Sequence, residues 1–455
     1  MRWTTHLLPL FLGAILPSQA QDGTLALTNS AFTLEGTLTS DGEVTVPTGE
    51  YQTYSSTITL SNDGDLTSAT VTGSGSSMDV KSATGNASSS YTTTSDSVTM
   101  LVGGMHTTVL GNASASATNA TSRPTSTPVV NTQPCNGYPE FCTKKYSNIT
   151  MVAAHNSPFV KQGNVAANQV LDVTTQLNDG IRMLQFQTHL VNDTMYLCHS
   201  SCDLLNMGPL EDYLVTVTEW MKAHPYDVVT ILMGNSDYVS PKYFTKPVEN
   251  SGLKDLVYTP RKIPMALDDW PSLSDMILIN QRAVMFLDYQ ANQTADPWLM
   301  DEFSQVWETP FSPTDREFPC TVQRPPGLAP QDANNRLYIA NHNLNLEFNF
   351  GSLNLLIPNT ELLNETNAVS GYGSLGRMAN NCTTNWNRPP NFLLVDYYNY
   401  GSFNGSVFEV AAEMNNVTYN GQCCGTTSAA SYLAGLNMMT MLLVIAGVQM
   451  FTRYF

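Results

Sequence analysis

Charge is what this chain has least of. Asp, Glu, Lys and Arg make up 13% of its 455 residues, and acidic residues outnumber basic ones 38 to 20, for a formal charge of −18. Basic residues gather no further than pairs such as Lys144-Lys145 and Arg261-Lys262, which excludes a nucleic-acid footprint and unaided attraction to anionic lipid. Cysteine is scarce too. Eight in 455 residues are too few for a disulfide scaffold and suit a large core with a few staples. Cys135 with Cys142 and Cys198 with Cys202 are close enough in sequence to pair, leaving Cys320, Cys382, Cys423 and Cys424 open. No G-x-G-x-x-G or P-loop run follows any candidate strand, so nothing marks a nucleotide site.

The two ends carry addresses. Arg2, an apolar run over 7–16 and Ser18-Gln19-Ala20 together read as a signal peptide over residues 1–20. Ten N-x-Ser/Thr sequons between Asn86 and Asn416 agree with export and a glycosylated surface. Small residues over 425–430, followed by an apolar tail over 433–455, read as a GPI-anchor signal within 420–455. A transmembrane helix is the competing reading, weakened because almost nothing polar follows the tail. A secreted protein held at the cell surface, on plasma membrane or wall, is the expectation.

Residues 21–130 differ in kind from the rest of the chain. From Lys81 to Val130, 21 of 50 residues are Ser or Thr, a composition that buries little apolar surface and suits a glycosylated stalk. Turn signals at Asp22-Gly23, Asp41-Gly42 and Asp63-Gly64 allow a few short strands within an otherwise disordered segment. Over 135–416 the pattern changes. Apolar runs at 149–154, 181–187, 228–233, 283–287, 337–340 and 392–395 read as buried strands. Between them, Leu210, Leu214, Val217 and Met221 repeat at helical spacing. Strand–helix alternation over this length points to an α/β fold, a TIM-type (β/α) barrel, with a doubly wound sheet as the alternative.

In such barrels, polar residues at the C-terminal ends of strands carry the chemistry. The first run delivers His155 and Asn156, the second Gln185, Gln187 and His189, and a short extended segment delivers His199. The last run ends on Asp396. Two histidines from adjacent elements suit a general base and a general acid, because imidazole titrates near neutral pH. Asp396 is placed to hold one imidazole in its productive tautomer, although a strand-end Asp also serves to cap a helix.

Three motifs make the pattern more specific. Ala154-His155-Asn156-Ser157, the stretch from Gln176 to Arg182, and Leu197-Cys198-His199 succeed one another at the spacing of the phosphatidylinositol-specific phospholipase C-like phosphodiesterases, and 135–416 resembles their secreted fungal branch. The resemblance implies that His155 removes a proton from a sugar hydroxyl that attacks phosphorus, and that His199 protonates the departing oxygen. It implies a phosphodiester substrate, an inositol lipid among the candidates. Where calcium-dependent relatives carry acids on the second strand, and calcium-independent ones an Arg, this chain has Gln185 and Gln187. Neutral amides bind calcium poorly, so no metal and no other cofactor is expected. Arg182, by strand parity, points away from the barrel interior, and His189 is the residue left to supply positive charge. A barrel that has lost catalysis and serves as a binding or wall-structural protein remains the alternative.

Overall fold

The computed structural model describes residues 131–421 except 351–352, together with 423–424 and, ahead of the barrel, 49–52, 54, 57–59, 101 and 103. The expected signal peptide, most of the Ser/Thr-rich segment and, from residue 425 onward, the expected anchor signal lie outside the described residues. Among the described residues, no helix is long and apolar enough to cross a membrane.

Eight parallel strands form the scaffold: β1 (Met151–Ala154), β2 (Met183–Val191), β3 (Val229–Asn235), β4 (Ala283–Leu287), β5 (Leu299–Asp301), β6 (Val306–Glu308), β7 (Leu337–Asn341) and β8 (Phe392–Val395). Across the sheet they run β6-β7-β8-β1-β2-β3-β4-β5, each neighbouring pair parallel. That order is cyclic. Its one break falls between β5 and β6, which only the four-residue helix Glu302–Gln305 separates in sequence. The sheet therefore curls into a TIM-type barrel with an unpaired seam. Six strands coincide with apolar runs legible in the sequence; β5 and β6, three residues each, are too short to announce themselves.

Period-two alternation sorts the side chains. Met151, Met183, Leu232, Phe286, Met300, Val306, Ile339 and Leu394 fill the barrel interior. Their alternates Val152, Leu184, Ile231, Met285, Leu299, Trp307, Tyr338 and Leu393 face the helical layer. Each large apolar side chain so buried contributes roughly 1.5–3 kcal/mol. The helix Leu210–Ala223 buries Leu210, Leu214, Val217 and Met221, the stripe its spacing foretold. Tyr146 plugs the N-terminal end of the barrel, its ring 4.7 Å from Trp270 and its hydroxyl 2.6 Å from Thr230.

The chain leaves β2 into an antiparallel excursion, with Thr194–Cys198 pairing first to β2 and then to Asn206–Pro209. Cysteines pair as 135–142, 198–202, 320–382 and 423–424. Arg182 sits outside the barrel, held by Asp227 at 2.8 Å and lying over Trp220. Asn148, Asn192, Asn292, Asn364, Asn381, Asn404 and Asn416, the sequon residues within the described stretch, are all exposed.

Candidate active site

The interior face of the barrel is apolar at its base and turns polar at its C-terminal rim. His155, Gln185, Gln187, Asp288, Glu302, Glu308, Arg324 and Asn341 line one pocket of about 350 Å³, drawing on strands from both sides of the seam. A hollow of about 630 Å³ at the other end, lined by Lys145, Asn148, Asp268 and Arg388 among others, lies where such barrels carry no chemistry.

His155 comes directly after β1, and Asp396 directly after its neighbour β8. The two strands run in register, so their next residues meet: His155 Nδ1 lies 2.7 Å from Asp396 Oδ1. Asn168 Nδ2 donates to the same carboxylate oxygen at 2.9 Å, and Gln169 Nε2 donates to the carbonyls of both His155 and Val395. Asn156 turns the chain away at φ 50°, with its Nδ2 at 3.2 Å from His155 Nε2. A donor on Nε2 and an acceptor on Nδ1 select the Nδ1–H tautomer. Asn156 Oδ1 and Asp396 Oδ2, both buried, accept no hydrogen bond from the protein.

His199 approaches from the far side of the antiparallel excursion. Cys198–Cys202 closes the turn that carries it, its amide donates to Leu205 O at 3.0 Å, and its ring stands edge-on to Phe159 at 5.3 Å. Burial first, and the nearby His155 second, push its pKa down to about 3. It is therefore neutral unless an anion arrives beside it.

Gln185 and Gln187 both line the pocket, and both amide oxygens are already engaged. Gln185 Oε1 accepts from the Asn156 amide at 2.9 Å, and Gln187 Oε1 from the Ser236 hydroxyl at 2.9 Å. Gly234 leaves room for this amide, since a Cβ there would displace the Gln187 amide from its place. His189 does not join them. By its position β2 has passed the rim and entered the excursion, opposite Tyr196, and His189 pairs with Asp237 at 2.8 Å. Interior parity no longer means interior placement there, so His189 supplies no charge to the pocket.

The charge comes instead from Arg324, a residue without a local signature in the sequence. It reaches the pocket through an antiparallel bridge to Glu308 at the end of β6. Its Nη1 donates to Glu308 Oε2 at 2.9 Å and its Nη2 to the Tyr289 hydroxyl at 3.1 Å. The guanidinium lies between Phe303 and Phe311, at 4.7 and 4.5 Å from their centroids. Its Nε is buried and donates to nothing in the protein. Asp288 and Glu302 complete the cluster. Burial holds Asp288 up at about 6, with Arg324 opposing. Burial and then Glu308 raise Glu302 well above the usual carboxylate range, and Glu308 is the carboxylate that pairs with Arg324.

Calcium does not fit this donor set. It takes roughly six to eight oxygens, and the amide oxygens near His155 are mostly engaged while the carboxylates gather around a guanidinium. Among the described residues, the one convergent trio of ligand-type side chains is Asp179 with Cys423 and Cys424. It lies outside this pocket, and its two sulfurs are bonded to each other.

Comparison with known proteins bears on the same region. The family model described as PI-PLC X 1 matches residues 141–415. A protein of Arthroderma benhamiae named "Uncharacterized secreted protein" is 58% identical over 406 residues, covering 87% of this chain and 88% of that one. Only 321 residues remain from Cys135 onward (455 − 134), so this match includes residues ahead of the barrel. A second protein of that fungus, "PI-PLC X domain-containing protein 1", is 41% identical over 270 residues, 59% of this chain and 86% of its own. Among solved structures, the phosphatidylinositol-specific phospholipase C of Listeria monocytogenes aligns with a TM-score of 0.40 at 13% identity, covering 60% of this chain and 95% of that one. That last likeness is too slight to transfer any residue's role.

Proposed function

We propose, from the premise that this chain belongs to the PI-PLC X family, that it is an exported phosphodiesterase cleaving a diester by attack of a neighbouring hydroxyl. The observation that carries this reading is the His155–Asp396 pair, 2.7 Å apart, with His155 sharing a pocket with the buried Arg324 guanidinium and lying near a second imidazole, His199.

With Nδ1–H committed to Asp396, His155 presents its Nε2 lone pair to the attacking hydroxyl, which takes the place of the Asn156 Nδ2 donor at 3.2 Å. The hydroxyl oxygen bonds to phosphorus as its proton moves to Nε2, and the bond from phosphorus to the leaving oxygen breaks. His199 supplies the proton that the leaving oxygen takes up. Because it is neutral in the free protein, the negative phosphodiester is what favours its protonation on binding. Arg324 Nε–H is the unspent donor that offsets charge on phosphorus. Asn156 Oδ1 and Asp396 Oδ2 are buried acceptors suited to hydroxyl donors, which favours a polyol headgroup, inositol lipid included. The amide positions Gln185 and Gln187 act by holding the first turn after β1 and the rim of β3, with no metal between them.

The test is turnover by the purified ectodomain on an inositol phospholipid, a glycerophosphodiester and a soluble aryl diester, with and without chelator. Cyclic phosphate released by wild type and not by His155→Ala supports the reading. Equal background hydrolysis by both proteins hands the barrel to the binding-protein alternative.

A further inference from the structure

Among the described residues β5 and β6 do not pair with each other, and beyond the bridge from Glu308 to Arg324 no strand covers the seam between them, an exposed edge of the kind that folds usually cover. The described residues of 49–59 lie along it. At one end, Gly49 is packed so closely on the Tyr289 and Tyr238 rings that any side chain there would collide with them. Tyr51 stands edge-on to Phe303, at 4.8 Å between centroids, and to Tyr289, at 5.8 Å. The Gln52 amide donates to Ala291 O. Tyr54 donates to Gln52 Oε1 at 3.1 Å, and burial first, then the charge of Asp301 at the end of β5, raise its pKa to about 12. At the far end, Ile58–Thr59 pairs antiparallel with Lys262–Ile263, which leads toward the N-terminal side of the barrel. The ten steps from residue 49 to residue 59 allow a reach of up to about 33 Å, sufficient to run the height of the barrel.

Two of the aromatic rings that Tyr51 touches are the ones that hold Arg324. Tyr289 receives the Arg324 Nη2 hydrogen bond at 3.1 Å, and Phe303 forms one side of its aromatic sandwich. Arg324 itself arrives on a loop, with no strand of its own, so its geometry depends on what packs around it. The stretch shared with the secreted relative also extends ahead of Cys135.

We infer that the described residues of 49–59 form a strap of the catalytic barrel, closing its seam, and that Tyr51 is a positioning residue for Arg324. The positioning half rests on the phosphodiesterase reading; the closing half does not. The strap belongs to the barrel even though it lies inside the segment whose composition reads as stalk.

The experiment compares wild-type ectodomain with Tyr51→Ala and Tyr51→Phe, each alone and combined with Arg324→Lys. Readouts are kcat and KM on a soluble aryl inositol-phosphate diester, and amide hydrogen exchange across 299–308. Tyr51→Ala is expected to speed exchange in 299–308 and to lower kcat by roughly 10- to 100-fold with KM little changed, the scale of a small misplacement in an active site. Tyr51→Phe, which keeps the ring contacts, should recover most of the rate. With Arg324→Lys present, Tyr51→Ala should cost no further rate. Unchanged exchange in Tyr51→Ala overturns the strap. Faster exchange with full kcat overturns the positioning role. Absence of turnover in the wild type sinks the phosphodiesterase reading and the positioning role with it, and exchange alone then decides the strap.

Discussion

His155 Nδ1 donates to Asp396 Oδ1 at 2.7 Å across 241 residues of chain. The contact exists because β1 and β8 are neighbours in register, so the residues just past each strand emerge side by side. Removing the carboxylate's charge while keeping its shape tests what the pair does. Asp396→Asn is expected to lower kcat by roughly 10²–10⁴-fold with KM little changed, because the ring loses its tautomer and its support as an imidazolium. Steady-state kinetics check this; a rate within a few-fold of wild type would make Asp396 a structural residue only.

The Cys198–Cys202 link spans four residues, too short a loop to add much to global stability. Its consequence is local, since it closes the turn that holds His199. The double variant Cys198→Ser, Cys202→Ser should keep its far-ultraviolet circular dichroism and lose roughly 10- to 100-fold in kcat. Full activity in the double variant would free His199 from any dependence on the link.

Arg324 and Glu308 are each about 4% exposed at the side chain, and breaking a buried pair leaves the partner uncompensated. Arg324→Met should therefore destabilise the fold by about 3–5 kcal/mol, read by chemical denaturation. Arg324→Lys retains charge without the guanidinium fork, and its kcat should fall by roughly 10²–10³-fold. Chelator should leave the wild-type rate unchanged. Chelator sensitivity reversed by added calcium would show that a cation, not Arg324, offsets the phosphate charge.

Asp288 titrates at about 6 in the folded protein, raised by burial from an ordinary value of 3.8. A raised carboxyl holds its proton in the fold after the unfolded chain has lost it, so its contribution to stability falls as pH rises from about 4 to 6. Asp288→Asn keeps acceptors for the amides of Asn235 and Tyr289, which now donate to Asp288 Oδ1 at 2.7 Å. Relative to wild type the variant should gain stability over that window, on the order of 2–3 kcal/mol. Melting curves at pH 4, 5, 6 and 7 measure it, and a difference that stays flat across them would place the Asp288 pKa near its ordinary value.

Attachment at the C-terminus is tested outside the described residues. If the small-residue run at 425–430 accepts a GPI anchor, detergent-extracted protein should move to the aqueous phase after treatment with an external phosphatidylinositol-specific phospholipase C. A tag placed after Phe455 should be missing from the mature protein. Its persistence there, with the protein staying in detergent, would identify a transmembrane tail.

Sequence alone determined a good part of this. Strands such as Ala283–Leu287 and Phe392–Val395 were legible because four or five consecutive apolar residues bounded by turn signals have few other fates in a barrel. His155, Gln185, Gln187 and Asp396 were legible because they end such runs, and strand parity then aims them inward. Parity failed at His189, where β2 outlasts the barrel and its face is set by a hairpin partner. Tertiary structure alone decided the rest. Glu302 and Glu308 lie just past or at the end of strands of only three residues, below what periodicity reveals. Arg324 is brought in by a bridge to Glu308, and Tyr51 by contacts with Tyr289 and Phe303 far along the chain. Local pattern records which way a strand's side chains point; it holds no record of which distant loop closes over them, because that is fixed by packing between segments whose own sequences are ordinary.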